Sequence, residues 1–262
     1  MKLACQENMV PGASFADRVA KAQDWGYDGV EIWGSNLSDR MAEIKQAFKG
    51  RKIKVSTICS GFRGCLLDPD PAERNLAMND IKELLALGGQ LGAVGLIMVP
   101  IFGRPRLPDA SPLFDAREFQ RRMFMAQLRE LAEPAEKAKC AVLVEPLNRY
   151  ETHWINRLDQ AVDMVRRVNS NYIKIMGDFF HMSIEEADLP AAIKKAGKYL
   201  AHMHLADSNR ILPGMGHTDF KAGFAALKVI EFKGYMALEC GVPGDPSVLL
   251  PKTAQYLRQC ML

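Results

Sequence analysis

Four short apolar runs in the second half of the chain carry, at or near their ends, a side chain able to bind a cation or move a proton. AVLVE closes on Glu145, KIMGD on Asp178 and YMALE on Glu239, and AHMHLAD carries His204. Three carboxylates and one imidazole make a mixed oxygen and nitrogen donor set. It suits one divalent ion per chain, Mn2+ first and Co2+ or Mg2+ also, with room left for substrate oxygens. The set holds no thiolate, and a closed structural zinc site would draw on Cys and His alone, so the pattern points to an open catalytic centre. A single carboxylate at a strand end is commonly a helix N-cap or a loop ion-pair partner; four in succession ask for a shared role. His202 shares a strand face with His204, so only one of them reaches the rim. His204 is the nearer to the carboxyl end, and His202 reads as a hydrogen-bonded interior residue.

The elements that must position these residues alternate from end to end. Short β-type runs fall at 2–6, 29–33, 54–60, 94–100, 141–146, 173–178, 200–207 and 235–240, separated by longer helical patterns. That alternation is the mark of parallel strands joined by crossover helices. Runs such as AVLVEP and VGLIMVP are almost continuously apolar, as strands covered on both faces are. Residues 72–91 and 115–139 show helical spacing of apolar side chains, the second with a kink or break expected at Pro134. DWGYDGVEIW and ALGGQLGAVGLIMVP each read as a helix ending in glycine before a strand. The expected fold is a single (β/α)8 TIM barrel of the α/β class, one catalytic domain over residues 1–262, and its active site belongs at the carboxyl ends of the strands. FGRPRLPDASP at 102–112 reads as a long loop on that face.

Composition narrows the function. The chain has 262 residues, 48% of them hydrophobic, which suffices for a barrel core. A net charge of +3 from 34 basic and 31 acidic residues, with no long basic run, excludes a polyanion as the main partner, so no nucleic acid is expected. The six cysteines are scattered, form no C-x-x-C pair and read as reduced. The start, MKLACQENMVPG, lacks the apolar stretch of a signal peptide, and no run approaches a membrane helix, so a cytoplasmic protein is expected. The glycines of PGMGH read as turn geometry, since no phosphate-cradling motif surrounds them.

VEPLNRYETHWIN, GDFFHMSIEEADL, HMHLADSNRILPGMGHTDF and YMALEC together resemble the ketose 3-epimerases of the xylose-isomerase-like barrel superfamily, the group of D-tagatose and D-psicose 3-epimerases and a 5-keto-L-gluconate epimerase. The likeness is ordered from about residue 141 to 240; the first half agrees mainly in its strand-helix rhythm. The resemblance implies that Glu145, Asp178, His204 and Glu239 hold the metal and that Glu145 and Glu239 double as the acid/base pair. It also implies substrate contacts from Glu151, His181 and Arg210, and a homodimer or homotetramer. From the residues alone, Arg210 has a second reading as a loop arginine paired with Asp207 or Asp219, and His181 as the cap of a helix starting near Ser183. One departure is Phe179, where relatives more often have threonine after the aspartate. The N-terminal pocket, around Gln6, Trp33, Cys59, Ser60, Gly61 and Phe102, matches no single member.

The implied reaction inverts C3 of a free, non-phosphorylated ketose or keto-sugar acid through a cis-enediolate. Removing a proton beside a ketone leaves negative charge on the carbonyl oxygen, which a cation stabilises. Inversion takes a proton from one face and returns one to the other, so two acid/base groups are needed. The alternatives are an aldose–ketose or hydroxypyruvate-type isomerase on the same residues, and a sugar-binding barrel without turnover. A multi-zinc DNA-repair enzyme on the same fold is disfavoured by the five histidines and the absence of basic runs.

Overall fold

A computed structural model describes residues 1–113 and 115–262. The eight expected runs are strands β1 (Lys2–Gln6), β2 (Gly29–Trp33), β3 (Lys54–Cys59), β4 (Gly95–Met98), β5 (Ala141–Val144), β6 (Ile173–Asp178), β7 (Leu200–Leu205) and β8 (Tyr235–Leu238). They pair in parallel and in sequence order, and β1 also pairs with β8, which closes the barrel. Parallel neighbours need a crossover. Helices α1 (Phe15–Asp24), α2 (Leu37–Phe48), α3 (Pro71–Leu91), α4 (Ala116–Ala138), α5 (Leu158–Arg166), α6 (Phe179–Glu185), α7 (Leu189–Ala196) and α8 (Phe220–Val229) supply it, and α9 (Pro246–Cys260) follows β8. Among the described residues no helix is long and apolar enough to cross a membrane.

Local chemistry sets the helix ends. Asp70 Oδ1 accepts from the Ala72 amide and Pro71 opens α3, while Gly92, at φ +71°, closes it as the glycine-rich sequence requires. The break expected at Pro134 does not occur: α4 runs unbroken through it to a left-handed cap at Lys139. Strands β3, β4, β5, β7 and β8 stop one or two residues before the apolar runs do. Glu145 N still donates to Met98 O (3.1 Å) and Glu239 N to Leu205 O (3.3 Å), so both carboxylates stand directly above the last rung of the ladder.

Alternation along the strands decides which side chains enter the barrel. One large apolar cluster, including Leu3, Leu96, Val142, Val144 and Leu238, packs the strands against the helices. Two small clusters, Cys59, Ile97, Leu143 and Met176, and Ala4, Tyr235 and Ala237, occupy the opposite faces of the same strands and so fill the interior. Glu145 keeps step with Leu143 and Glu239 with Ala237. His204 is aligned with Ala237, and Asp178 with His204. On the strands that continue the barrel past β8, Ala4 aligns with Gly29, and two residues on Gln6 aligns with Glu31. The period of two therefore sends all six polar side chains inward.

Candidate active site

Glu145, Asp178, His204 and Glu239 each offer a ligand atom within 4.8 Å of all the others. His204 is fully buried, and its Nδ1 lies 3.1 Å from Glu239 Oε2, 3.7 Å from Glu145 Oε1 and 4.0 Å from Asp178 Oδ2. Asp178 serves two ends: Oδ1 accepts from the Phe180 amide (2.7 Å) and caps α6, leaving Oδ2 to face the cluster. Asp178 thus caps α6 with one oxygen and turns the other toward the cluster.

Buried His204 Nδ1 has no hydrogen-bond partner although three carboxylates face it. An interior polar atom left in that state calls for an explanation. A divalent cation supplies one, and the donor set of three carboxylates and one imidazole suits Mn2+, Co2+ or Mg2+. A second group, Glu31, His202 and His204, also lies within 4.8 Å, one layer deeper and wholly buried. Its carboxylate is already engaged by four donors: His202 Nε2 (3.0 Å), His204 Nε2 (3.0 Å), Thr57 Oγ1 (2.6 Å) and Gln6 Nε2 (3.1 Å).

The electrostatics separate the two glutamates. Burial pushes the Glu145 carboxyl well above the usual range; His204 opposes this, and Glu239 and Asp178 add to it. Burial also tends to raise Glu239, but His204 and Arg210 outweigh it and hold that carboxyl below its ordinary value. His204 itself is carried well above the usual imidazole range: burial opposes its charge, and Glu239 and Glu31 overcome burial. His202 goes the other way because for it burial wins.

Arg210 pairs with neither Asp207 nor Asp219. Its guanidinium spans the cluster, with Nη1 donating to Asp178 Oδ2 (3.1 Å) and Nη2 to Glu239 Oε2 (2.7 Å), and lies 4.6 Å over the Phe180 ring. The loop that delivers it is organised by fully buried Asp207, whose carboxylate accepts from the amides of Ser208 (2.8 Å), Gly214 (2.8 Å) and Thr218 (3.0 Å). His181 sits inside α6, which starts at Phe179 rather than near Ser183, so it is no helix cap. Its Nε2 is 3.1 Å from Arg210 Nη1, and Asn148 N donates to its Nδ1 (3.2 Å). Glu151, at the rim, accepts from Asn148 Nδ2 (2.9 Å). The loop at 102–112 is tied to that rim, Gly103 N donating to Glu151 O (2.7 Å).

Phe179 leaves the barrel altogether. It stacks on Phe220 (5.2 Å between centroids) and meets Phe224 edge-on, in room left by Gly223, where a Cβ would lie 2.5 Å from the Phe179 ring. Of the N-terminal pocket, Gln6 Nε2 donates to Glu239 Oε1 (2.9 Å) and Cys59 Sγ lies 3.9 Å from the same oxygen, whereas Phe102 is exposed. Gly61, at φ +103°, lets the loops after β2 and β3 touch backbone to backbone: a Cβ there would lie 2.3 Å from Gly34. Glu31 is the residue the sequence reading missed. Its signal was a carboxylate in mid-strand, GVEIW, where the neighbours are apolar and both faces are covered.

A closed parallel barrel with three carboxylates and an imidazole gathered at its carboxyl mouth is the architecture of a barrel enzyme with a candidate cation centre. The chain belongs to the xylose isomerase-like TIM barrel family, whose model matches residues 19–260. It is 31% identical to the 3-dehydro-D-guloside 4-epimerase of Escherichia coli, over 99% of this chain and 100% of that one. It is 37% identical to the D-psicose 3-epimerase of Agrobacterium fabrum, over 87% of this chain and 79% of that one. Among solved structures, the E. coli 3-keto-D-glucoside 4-epimerase superposes with a TM-score of 0.89 at 30% identity, covering 99% of this chain and all of the other.

Proposed function

We propose that this chain is a divalent-metal-dependent epimerase, one catalytic domain over residues 1–262, that inverts the carbon beside the ketone of a small keto-sugar. Glu145, Asp178, His204 and Glu239 hold the cation, with Mn2+ the ion of choice. When bound, it supplies positive charge to the carbonyl and neighbouring hydroxyl oxygens, which lowers the energy of a cis-enediolate. The observation that carries the reading is the convergence of Glu145, Asp178, His204 and Glu239, whose ligand atoms lie within 4.8 Å of one another at the barrel mouth. One of the pair Glu145 and Glu239 takes the proton from the carbon as the carbonyl π electrons move onto oxygen and the C=C bond of the enediolate forms. The other glutamate returns a proton to the opposite face as the carbonyl re-forms. Strands β5 and β8 stand three places apart around the barrel, which supports roles for the two carboxylates on different sides of the substrate. Arg210 and His181 donate to substrate oxygens, and Glu151 orients them from the rim.

The first substrate class is a free ketose or keto-sugar acid inverted at C3. A second, a 3-keto-hexoside inverted at C4, is favoured by the match with the E. coli 4-epimerase over the full length of both chains. Both classes need the same proton transfer. Incubation in deuterium oxide with Mn2+, Co2+ or Mg2+ and a panel of ketohexoses, ketopentoses, keto-acid sugars and 3-keto-hexosides tests the reading. Deuterium at the inverted C3 or C4 is expected. Label only at C1 would indicate an aldose–ketose isomerase, and binding without exchange a non-catalytic barrel.

A further inference from the structure

The carboxylate of Glu31 is wholly buried beneath the mouth and has its acceptor capacity filled. An ionised carboxylate offers about four lone-pair sites. His202 Nε2, His204 Nε2, Thr57 Oγ1 and Gln6 Nε2 take them at 2.6–3.1 Å. The occupancy rules out Glu31 as a ligand of a second cation without loss of its present bonds. It also has a consequence one layer up. A carboxylate only accepts, so the nitrogen of His204 that faces Glu31 must carry a proton, and Nδ1 is the atom left to face the three carboxylates of the mouth. Gln6 carries the same influence sideways: its Nε2 lies between Glu31 Oε1 (3.1 Å) and Glu239 Oε1 (2.9 Å). With Oε1 so engaged, Glu239 turns Oε2 toward His204 Nδ1 and Arg210.

We propose that Glu31 is the positioning residue of this centre: by holding His204 through Nε2–H and Glu239 through Gln6, it aims two of the four ligand atoms at the cation. Partners that lock a metal-binding imidazole from behind are commonly worth about 10- to 100-fold in metal affinity or activity. The proposal rests on the cation reading above but makes its own claim, namely that affinity is set from a layer no ligand occupies. A merely structural Glu31 would change stability and leave the ring orientation and the affinity of the folded fraction alone.

The test uses the full chain and Mn2+ as probe. Glu31→Gln keeps the shape but turns an N–H2 toward donors, so one imidazole loses its acceptor. In the metal-free protein, the Nε2–H proton of His204 is expected as a protected downfield resonance in 15N-edited spectra of the rings, lost or moved in Glu31→Gln. The Kd for Mn2+, read from free-ion electron paramagnetic resonance, is expected to rise at least about tenfold, with kcat falling and KM little changed at saturating Mn2+. Glu31→Asp, which keeps the charge and shortens the reach, should recover part of the affinity, and provides the reading if Glu31→Gln does not fold. Thr57→Val, which leaves both imidazole bonds in place, should stay within about threefold of the parent. Unchanged ring signals and Mn2+ affinity in folded Glu31→Gln, or an equal loss in Thr57→Val, would overturn the proposal while leaving the four-ligand centre standing. A parent protein that binds no Mn2+ would overturn both. A parent that binds Mn2+ in a Glu31-dependent way yet turns over no keto-sugar would refute the epimerase reading alone.

Discussion

Strands β5 to β8 and strands β1 to β4 line the same mouth and contribute different things to it. The second half ends its strands on charged groups that converge: Glu145, Asp178, His204 and Glu239, with Arg210 laid across two of them. The first half ends in Gln6, Trp33 and Cys59, uncharged side chains at the rim, and places its one inward carboxylate, Glu31, a layer below. The groups proposed to react are thereby gathered on one arc, while the other is free to shape the rest of the pocket. The division predicts that rim changes in the second half act on kcat and a change at Trp33 on KM, whereas Gln6, bonded to Glu239, belongs with the second half.

Removing the cation should separate the halves most sharply. Chelation is expected to lower turnover on the order of a thousandfold, since stabilising charge on a carbonyl oxygen is worth several kcal/mol. Added Mn2+ should restore it; full activity in chelator would break the division. Next, Glu239→Gln should lose at least roughly a hundredfold in kcat, the usual contribution of an acid/base group. Steady-state kinetics at saturating substrate would show this, and near-normal turnover would remove Glu239 from the chemistry. A smaller effect is expected behind the second arc, where Gly223→Ala would press on the Phe179 ring that follows Asp178. Overpacking of this kind costs about 1–3 kcal/mol, which urea denaturation would register. The smallest effect belongs to the first arc: Trp33→Ala should raise KM severalfold with kcat kept, consistent with about 1 kcal/mol of lost apolar contact.

The same division explains what could be read in the sequence. Glu145, Asp178 and Glu239 were legible because each closes an apolar run, and in a barrel that address leads to the mouth. Strand-to-helix rhythm was equally plain, because glycine punctuates it: Gly92 closes α3 in space as ALGGQLGAVGLIMVP suggests in sequence. Glu31 was not legible, since a carboxylate between Val30 and Ile32 acquires meaning only once His202, His204, Thr57 and Gln6, from three other strands, surround it. The loop that delivers Arg210 was hidden for a similar reason. Its shape depends on Asp207 gathering amides up to eleven residues away, and no local signal marks such a turn. Of the kink or break read at Pro134, the break is absent, α4 running on to Ala138.

The most direct measurement is anomalous scattering from crystals of this protein grown with Mn2+. One peak per chain is expected, bounded by Glu145, Asp178, Glu239 and the Nδ1 face of His204. A peak instead among Glu31, His202 and the Nε2 face of His204, or no peak at saturating Mn2+, would contradict the account.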